Sequence, residues 1–397
     1  MTENIIPYGK QHITLEDIAA VTNVLKGDFL TQGPKILEFE KLFSVYVGSK
    51  YSVAVSNGTA ALHLATLALG AEKGDKVITT PITFAASANS VRYCDGEIIF
   101  SDIDPKTYLI DLSKVEELLK QHPKGTFKGI IPVDFAGRAV NLEKVRELAN
   151  EYGLWIIEDA CHAPGGYFID SLGQKQNCGN GNFADLAIFS FHPVKHIATG
   201  EGGMITTNNE ELYLKLLELR THGITRSPQN FINSIDFACG MNEEKNYPGW
   251  YMEMQSLGFN YRLTDIQAAL GISQLQRANE GLIRRRQIAK KYNDAFLKKK
   301  FIKGHSRVHE GHAYHLYVLE VENRLGLYNY LKEHSIITQV HYIPCHMMPY
   351  YKGLGWNEGD MPNAEKYYKC CLSIPMFSSL TDDNVNFVID KIKKFYE

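Results

Sequence analysis

Lys195 sits in Ser190-Phe-His-Pro-Val-Lys195-His-Ile-Ala-Thr-Gly-Glu-Gly-Gly203, a polar, glycine-rich turn between the apolar runs 187–191 and 204–205. An amine at the mouth of buried strands loses hydration, titrates lower than in water, and becomes usable as nucleophile and base. Such amines condense with carbonyls, among them the aldehyde of pyridoxal phosphate (PLP). An exposed loop lysine fits the same stretch, so Lys195 gains meaning only from its companions.

Those companions come earlier in the chain. The apolar run 154–157 ends in Glu158-Asp-Ala-Cys-His162. A carboxylate such as Asp159 at a strand mouth can keep a pyridine nitrogen protonated and make the ring an electron sink; a helix N-cap is the plainer reading. Ser56-Asn-Gly-Thr-Ala60 joins a strand to a helix, where free N–H groups and the helix dipole suit a phosphate and Gly58 lets the backbone approach. Phe84 can stack on a flat ring or simply pack in a core, and His162 can bond a ring oxygen or be a half-buried structural histidine. Phosphate turn, aromatic, carboxylate and lysine, in that order in one α/β domain, point together to a PLP site.

Other patterns carry less. Gly179-Asn-Gly-Asn-Phe-Ala184 has dinucleotide-type glycine spacing but follows a polar loop rather than a strand. His192 and His196 are four apart with Pro193 between them and no glutamate after His192, a poor zinc-protease pattern. His341, Cys345 and His346 lack a second ligand cluster, so no metal is expected.

Alternating strands and helices must position these groups. The pattern predicts helices over 14–27 (with Thr14 and Asp17 forming a near capping box), 35–47, 60–69, 84–94, 112–121, 142–152, 210–221 and 263–275 onward. It predicts strands over 51–55, 76–79, 97–100, 129–133 and 154–157. The expected fold is therefore α/β, a mainly parallel sheet with helices on both faces and ligands at the strand ends. Residues 225–257 form a polar insertion too long for an ordinary connection. Beyond about 300, shorter strands (315–321, 337–342) and helices (325–333, 382–396) suggest a smaller α+β domain. Arg284 to Arg286 read as the solvated face of a helix. The expected division is a large PLP-binding domain over 1–262, including an N-terminal substrate-pocket segment, and a linking helix with a small domain over 263–397.

A net charge of −3 offers no electrostatic reason to expect nucleic acid or an acidic membrane. Seven scattered cysteines without a CxxC pair suit reduced thiols in the cytoplasm. The first residues lack the basic and apolar regions of a signal peptide, and no apolar run reaches the roughly 18 residues of a membrane span.

Several motifs together resemble the fold-type I, PLP-dependent sugar-nucleotide aminotransferases of the DegT/DnrJ/EryC/StrS family. They are Phe29-Leu-Thr-Gln-Gly33-Pro, Val55-Ser-Asn-Gly-Thr-Ala-Ala-Leu62, Glu158-Asp-Ala-Cys-His-Ala163, Ser190 to Lys195, Gly200-Glu-Gly-Gly203 and Gly258-Phe-Asn-Tyr-Arg262-Leu-Thr-Asp-Ile-Gln. The resemblance implies Lys195 as the Schiff-base lysine, Asp159 at the pyridine nitrogen, His162 beside the ring hydroxyl and Phe84 on the ring. It implies Gly58, Thr59, Ala60 and Ser190 at the phosphate, and Asn260 reaching the cofactor of a second subunit in a homodimer. It places Tyr8, Phe29, Leu30, Thr31, His315, His341 and Tyr342 in the sugar-nucleotide pocket. PLP and pyridoxamine phosphate would alternate as cofactor forms, with L-glutamate as amino donor.

Ile6-Pro7-Tyr8 and Trp250-Tyr-Met-Glu-Met254 are most similar to the pseudaminic acid branch of that family. The implied substrate is UDP-2-acetamido-2,6-dideoxy-β-L-arabino-hexos-4-ulose, and the implied product UDP-4-amino-4,6-dideoxy-N-acetyl-β-L-altrosamine. The alternative is a D-configured, UDP- or dTDP-linked 4-keto-6-deoxy sugar. A PLP-binding regulator is disfavoured because Lys195 and Asp159 are intact and no DNA-binding extension or basic face is present. A dinucleotide oxidoreductase is disfavoured by its glycine pattern.

Overall fold

A computed structural model describes residues 5–240, 246–305 and 310–397. Seven strands form the central sheet in the order 51–55, 203–207, 186–190, 155–159, 127–131, 76–79 and 97–100. Only Gly203–Thr207 runs antiparallel to its neighbours; the other pairings are parallel. Val53, Ile78, Ile130, Ile156, Ile188 and Ile205 are buried in this sheet, as expected for strands covered on both faces. Each such side chain contributes about 1.5–3 kcal/mol relative to leaving it in water.

Crossovers between the parallel strands bring the strand ends carrying Val55, Asp159 and Ser190 to one edge. Gly203 starts the single reversed strand at that edge, opposite Ser190 on one side and Val55 on the other. The turn holding Lys195 is thus pinned between two central strands.

Helix Leu15–Leu25 begins with the near capping box in place: Asp17 Oδ2 accepts from Thr14 N (2.9 Å). Buried Asp17 also accepts from Gln274 Nε2 (2.8 Å) and Arg277 Nη2 (2.6 Å), tying this helix to Asp265–Gln276. Asp265 in turn accepts from the amides of Gly33 (2.8 Å) and Lys35 (2.9 Å), which holds the start of helix Pro34–Val47.

A second core gathers Ile288, Tyr292, Phe296, Tyr317, Leu319, Leu372, Val388 and Ile392 behind an antiparallel sheet of 302–305, 317–321 and 371–374. Ile6 lies in it, bridged to Ile336, so the first described residues pack with the last part of the chain. Met376 N donates to Tyr8 O (2.9 Å), extending that contact.

Some expectations are corrected. The helix after 263 is two, Asp265–Gln276 and Ala278–Phe296, broken at Arg277. Residues 337–342 form no strand; Gln339 makes one bridge to Ser373 and the chain turns away. The arginine run is not uniformly solvated. Arg285 is 2% exposed, and its Nη1 donates to the carbonyls of Tyr314 (3.1 Å), His315 (3.2 Å) and Met376 (2.9 Å).

The excursion 225–257 leaves and rejoins the body at one neck. His222 N donates to Phe259 O (2.9 Å) and Gln255 N to Gly223 O (2.8 Å). Glycine is required there: a Cβ on Gly223 would lie 1.9 Å from Ser256 O, and one on Gly258 would lie 2.0 Å from Gly223 N.

Candidate active site

A cavity of about 650 Å³ opens at the sheet edge, and Gly58, Thr59, Phe84, Asp159, His162, Ser190, Lys195, Tyr8, His315, His341 and Tyr342 all line it. Segments far apart in sequence therefore meet where the motifs required. Ala60, Phe29, Leu30, Thr31 and Asn260 do not line it in the single chain.

Each has a physical reason. Ala60 N–H is already taken by Asn57 Oδ1 (2.8 Å), and Ala61 N–H by Asn57 O (3.1 Å). The first-turn donors left over are Gly58 and Thr59. Thr31 bridges Thr264, and Phe29 and Leu30 stand 57% and 48% exposed beside it. Asn260 bridges Thr221 and is exposed.

The phosphate turn is built closely. A Cβ on Gly58 would lie 3.0 Å from Ser190 Cβ and 3.6 Å from Cys161 Sγ. Gly58 thus leaves open a niche walled by a hydroxyl, a thiol and a helix N-terminus. Phe84 caps the helix Ala85–Tyr93 and stands 63% exposed, its ring 6.3 Å from that of Tyr342.

Asp159 is buried at its strand end. Oδ2 accepts from Ser87 Oγ (2.6 Å) and Oδ1 from Cys161 N (3.2 Å). Thr83 Oγ1 lies 2.7 Å from Ser87 Oγ. Neither hydroxyl was singled out in the sequence, although Ser87 follows Thr83 by one helical turn.

Lys195 is half-buried. Burial lowers its pKa, Cys161 and Asp159 oppose that, and Arg285 adds to the lowering. Imidazoles crowd this amine: the ring of His315 is 4.4 Å from that of His162 and 5.8 Å from that of His196. Burial, reinforced by neighbouring cations, holds all three well below the ordinary histidine pKa, and burial pushes His341 down to about 3. They are neutral at physiological pH.

Both ring nitrogens of His162 are engaged, Nδ1 by Ala136 N (3.3 Å) and Nε2 by Tyr342 Oη (3.1 Å). His315 Nδ1 and His196 Nε2 are buried without a hydrogen-bond partner among the described residues.

Asp134, Glu158 and Cys178 bring one ligand atom each within 4.8 Å of one another. Asp134 accepts from Val140 N (2.8 Å) and Glu158 from Gly179 N (2.9 Å), while Asp134 Oδ2 and Glu158 Oε1 lack described partners. Burial raises both carboxyls, Asp134 to about 7. Two buried like charges in contact are relieved by one shared proton, which accounts for the pair without a cation.

These residues fit PLP. The niche at Gly58 admits a phosphate, uncommitted N–H groups flank it, a buried carboxylate faces the same cavity, and a desolvated amine and an exposed aromatic face complete the wall.

A family model described as the DegT/DnrJ/EryC1/StrS aminotransferase family matches residues 11–393. The spore coat polysaccharide biosynthesis protein SpsC of Bacillus subtilis is 38% identical, covering 98% of this chain and 97% of its own. The UDP-4-amino-4,6-dideoxy-N-acetyl-beta-L-altrosamine transaminase of Campylobacter jejuni is 34% identical, covering 99% of this chain and 100% of its own. Among solved structures, Helicobacter pylori PseC, an aminotransferase of pseudaminic acid biosynthesis, superposes with a TM-score of 0.86 at 28% identity over 99% of both chains. Spr1654 of Streptococcus pneumoniae, described as a sugar aminotransferase and solved in a PLP form, gives 0.86 at 27% over 98% of both chains.

Proposed function

This chain belongs to the DegT/DnrJ/EryC1/StrS aminotransferase family, a PLP-dependent sugar aminotransferase, and we propose that it aminates C4 of a 4-keto sugar nucleotide. The substrate in this reading is UDP-2-acetamido-2,6-dideoxy-β-L-arabino-hexos-4-ulose, and the product UDP-4-amino-4,6-dideoxy-N-acetyl-β-L-altrosamine. L-Glutamate is the donor and 2-oxoglutarate the keto product. The observation that carries the reading is the convergence of Lys195, Asp159 and the Gly58–Ser190 niche on one cavity.

When bound, PLP supplies an aldehyde that exchanges amine partners and a ring that accepts electron density. The chain's residues do the rest. Gly58 and Thr59 N–H and the Ser190 hydroxyl hold the phosphate. Asp159, with Ser87 on one oxygen and Cys161 N on the other, holds a proton on the pyridine nitrogen. Phe84 covers one ring face. Lys195 Nζ, its pKa lowered by desolvation, removes the Cα proton of L-glutamate and later delivers a proton to C4 of the sugar. Tyr8, His315 and His341 shape the sugar end.

We take the active form to be a cytoplasmic homodimer. Among the described lining residues there is no arginine, although a nucleotide diphosphate calls for cations. Exposed Ile232, Trp250 and Leu257 on the excursion, together with Phe29, Leu30 and Asn260, support a partner surface that completes the pocket. The chain divides in this reading near residue 262, with the cofactor unit before it and the smaller unit after.

The test uses the purified protein with PLP. L-Glutamate should change the cofactor's visible absorbance, and the UDP-linked L-arabino 4-ketosugar should reverse the change in preference to its D-xylo epimer. Preferential reversal by the D-xylo epimer keeps the class and moves the substrate to the D-configured alternative. No change on adding L-glutamate rejects transamination.

A further inference from the structure

We propose that this chain carries an oxyanion site outside the catalytic cavity, built by Lys175, Arg286 and Tyr46, which takes the phosphate or carboxylate group of a small molecule. The inference goes beyond the transaminase reading and does not depend on it.

The site lies where the end of helix Pro34–Val47, the hairpin of strands Tyr167–Ile169 and Lys175–Asn177, and helix Ala278–Phe296 meet. They enclose a cavity of about 380 Å³, and none of the residues lining it lines the catalytic cavity. Lys175, Arg286, Tyr46, Asn177 and Asn279 supply its polar wall, and no carboxylate among the described residues lines it. Gly165 keeps the floor open. Its φ of +76° favours glycine, and a Cβ there would lie 2.7 Å from Tyr46 Oη and 2.8 Å from Leu282 Cδ2.

Two cations converge on one ring of this wall. Lys175 Nζ lies 4.3 Å and Arg286 Cζ 6.0 Å from the ring centroid of Tyr167. Arg284 nearby pairs with Asp382 (2.7 Å), whereas Arg286 and Lys175 make no ion pair among the described residues. Arg286 is also incompletely used. Its Nε donates to His312 O (3.2 Å), which fixes the plane of the fork, and its Nη2 is buried with no acceptor among the described residues. A buried charged donor without an acceptor is destabilising, and so are like charges held together. An oxyanion in the cavity relieves both.

Two negative charges lie nearby, and neither enters the cavity. Glu310 is engaged at the Tyr167 hydroxyl. The Asp134–Glu158 pair, with one proton between its carboxyls, lies behind the buried thiol of Cys178, which burial keeps protonated. Burial pushes the Tyr46 phenol up to about 12, so it remains a neutral donor. A planar fork, an ammonium and a phenol together match the several oxygens of a phosphate or carboxylate.

The test uses PLP-loaded protein, so that the niche at Gly58 is filled. Its melting temperature is followed against sodium phosphate and, separately, sodium citrate, with sodium chloride holding ionic strength constant. At ten times the dissociation constant, an oxyanion that binds only the folded chain should raise the melting temperature by about 1–2 °C. Lys175→Met, at an exposed position, should fold as wild type and need roughly 10-fold more anion for the same rise. Arg286→Met should do likewise, and Lys124→Met, an exposed cation elsewhere, should respond as wild type. A wild-type response to phosphate alone assigns the site to phosphate groups, and a response to citrate alone assigns it to carboxylates. No response to either salt overturns the proposal. So does an equal response in wild type and Lys175→Met, because a salt acting by exclusion from the surface stabilises both alike. An equal loss in Lys124→Met overturns it too, as a general effect of charge. Lys175→Met should keep wild-type turnover in the absence of added phosphate; a wild-type protein that never responds to L-glutamate would reject the transaminase reading and leave the anion titration to judge this one.

Discussion

Ser87 Oγ lies 2.6 Å from Asp159 Oδ2, and because a carboxylate cannot donate, the serine must. Its hydrogen being spent, Ser87 accepts from Thr83 Oγ1 2.7 Å behind it. The anion is therefore held by a directed chain of two hydroxyls. Ser87→Ala should weaken PLP retention about 10-fold, the scale of one hydrogen bond to a charged group. Ser87→Thr, which keeps the hydroxyl, should restore it. Equilibrium dialysis of PLP against the three proteins decides; equal retention in all three would remove the relay from the argument.

Lys195 gives a prediction with a definite sign. Burial lowers its pKa in the folded state below that of the unfolded chain, so the folded protein binds fewer protons there. The resulting penalty is present at neutral pH and fades as pH rises towards the ordinary lysine value of about 10.4. Lys195→Met without PLP should melt above wild type at pH 7, by roughly 1–3 °C. The gap should narrow towards pH 10, while loss of the base lowers turnover by about 10²- to 10⁴-fold. A gap that is constant with pH would show that this amine is not desolvated.

The buried Asp134–Glu158 pair should make wild-type stability fall with rising pH. Both carboxyls are raised above their unfolded values, Asp134 to about 7. From about pH 4 upward, the folded state therefore keeps a proton that the unfolded chain gives up. One such proton bounds the slope at about 1.4 kcal/mol per pH unit. Glu158→Gln supplies a neutral amide in place of the shared proton and should flatten the profile between pH 5 and 8. Urea unfolding at several pH values, without PLP, measures both slopes. Parallel profiles would mean that the pair holds no shared proton.

Arg285 is buried, has no carboxylate partner among the described residues and serves three carbonyls, and burial brings its pKa down to about 10. Arg285→Met would leave those carbonyls unmatched, at a cost on the order of 3 kcal/mol or more. Arg285→Lys should recover only part of this, because an ammonium lacks the flat fork. Urea midpoints would show it; a neutral Arg285→Met would mean that water replaces the guanidinium.

Much of the site was legible because its parts sit at the ends of apolar runs. A short apolar run bounded by turn residues reads as a buried strand, and the polar residues just beyond it reach the sheet edge, which is how Asp159 and Lys195 could be read in order. The sequence was silent where partners come from distant elements. Nothing near Asp159 announces that Ser87 will reach it, and nothing near His162 announces Tyr342. Residues 337–342 have strand composition, yet the chain is bent into the cavity after one bridge at Gln339. Arg285 was misread for a simpler reason. Its charge drew notice, whereas its place in the stripe 278, 282, 285, 289, 292 and 296, all buried, marks it as an inward position.

The glycine neck at Gly223 and Gly258 bears on how such a protein can diversify. Two touching backbones fix where the excursion begins and ends, whatever lies between. Insertions, deletions or wholesale exchange within 225–257 need not disturb the sheet or the lysine turn. The excursion can therefore be treated as a cassette, exchangeable at this neck while the sheet and the lysine turn are inherited unchanged.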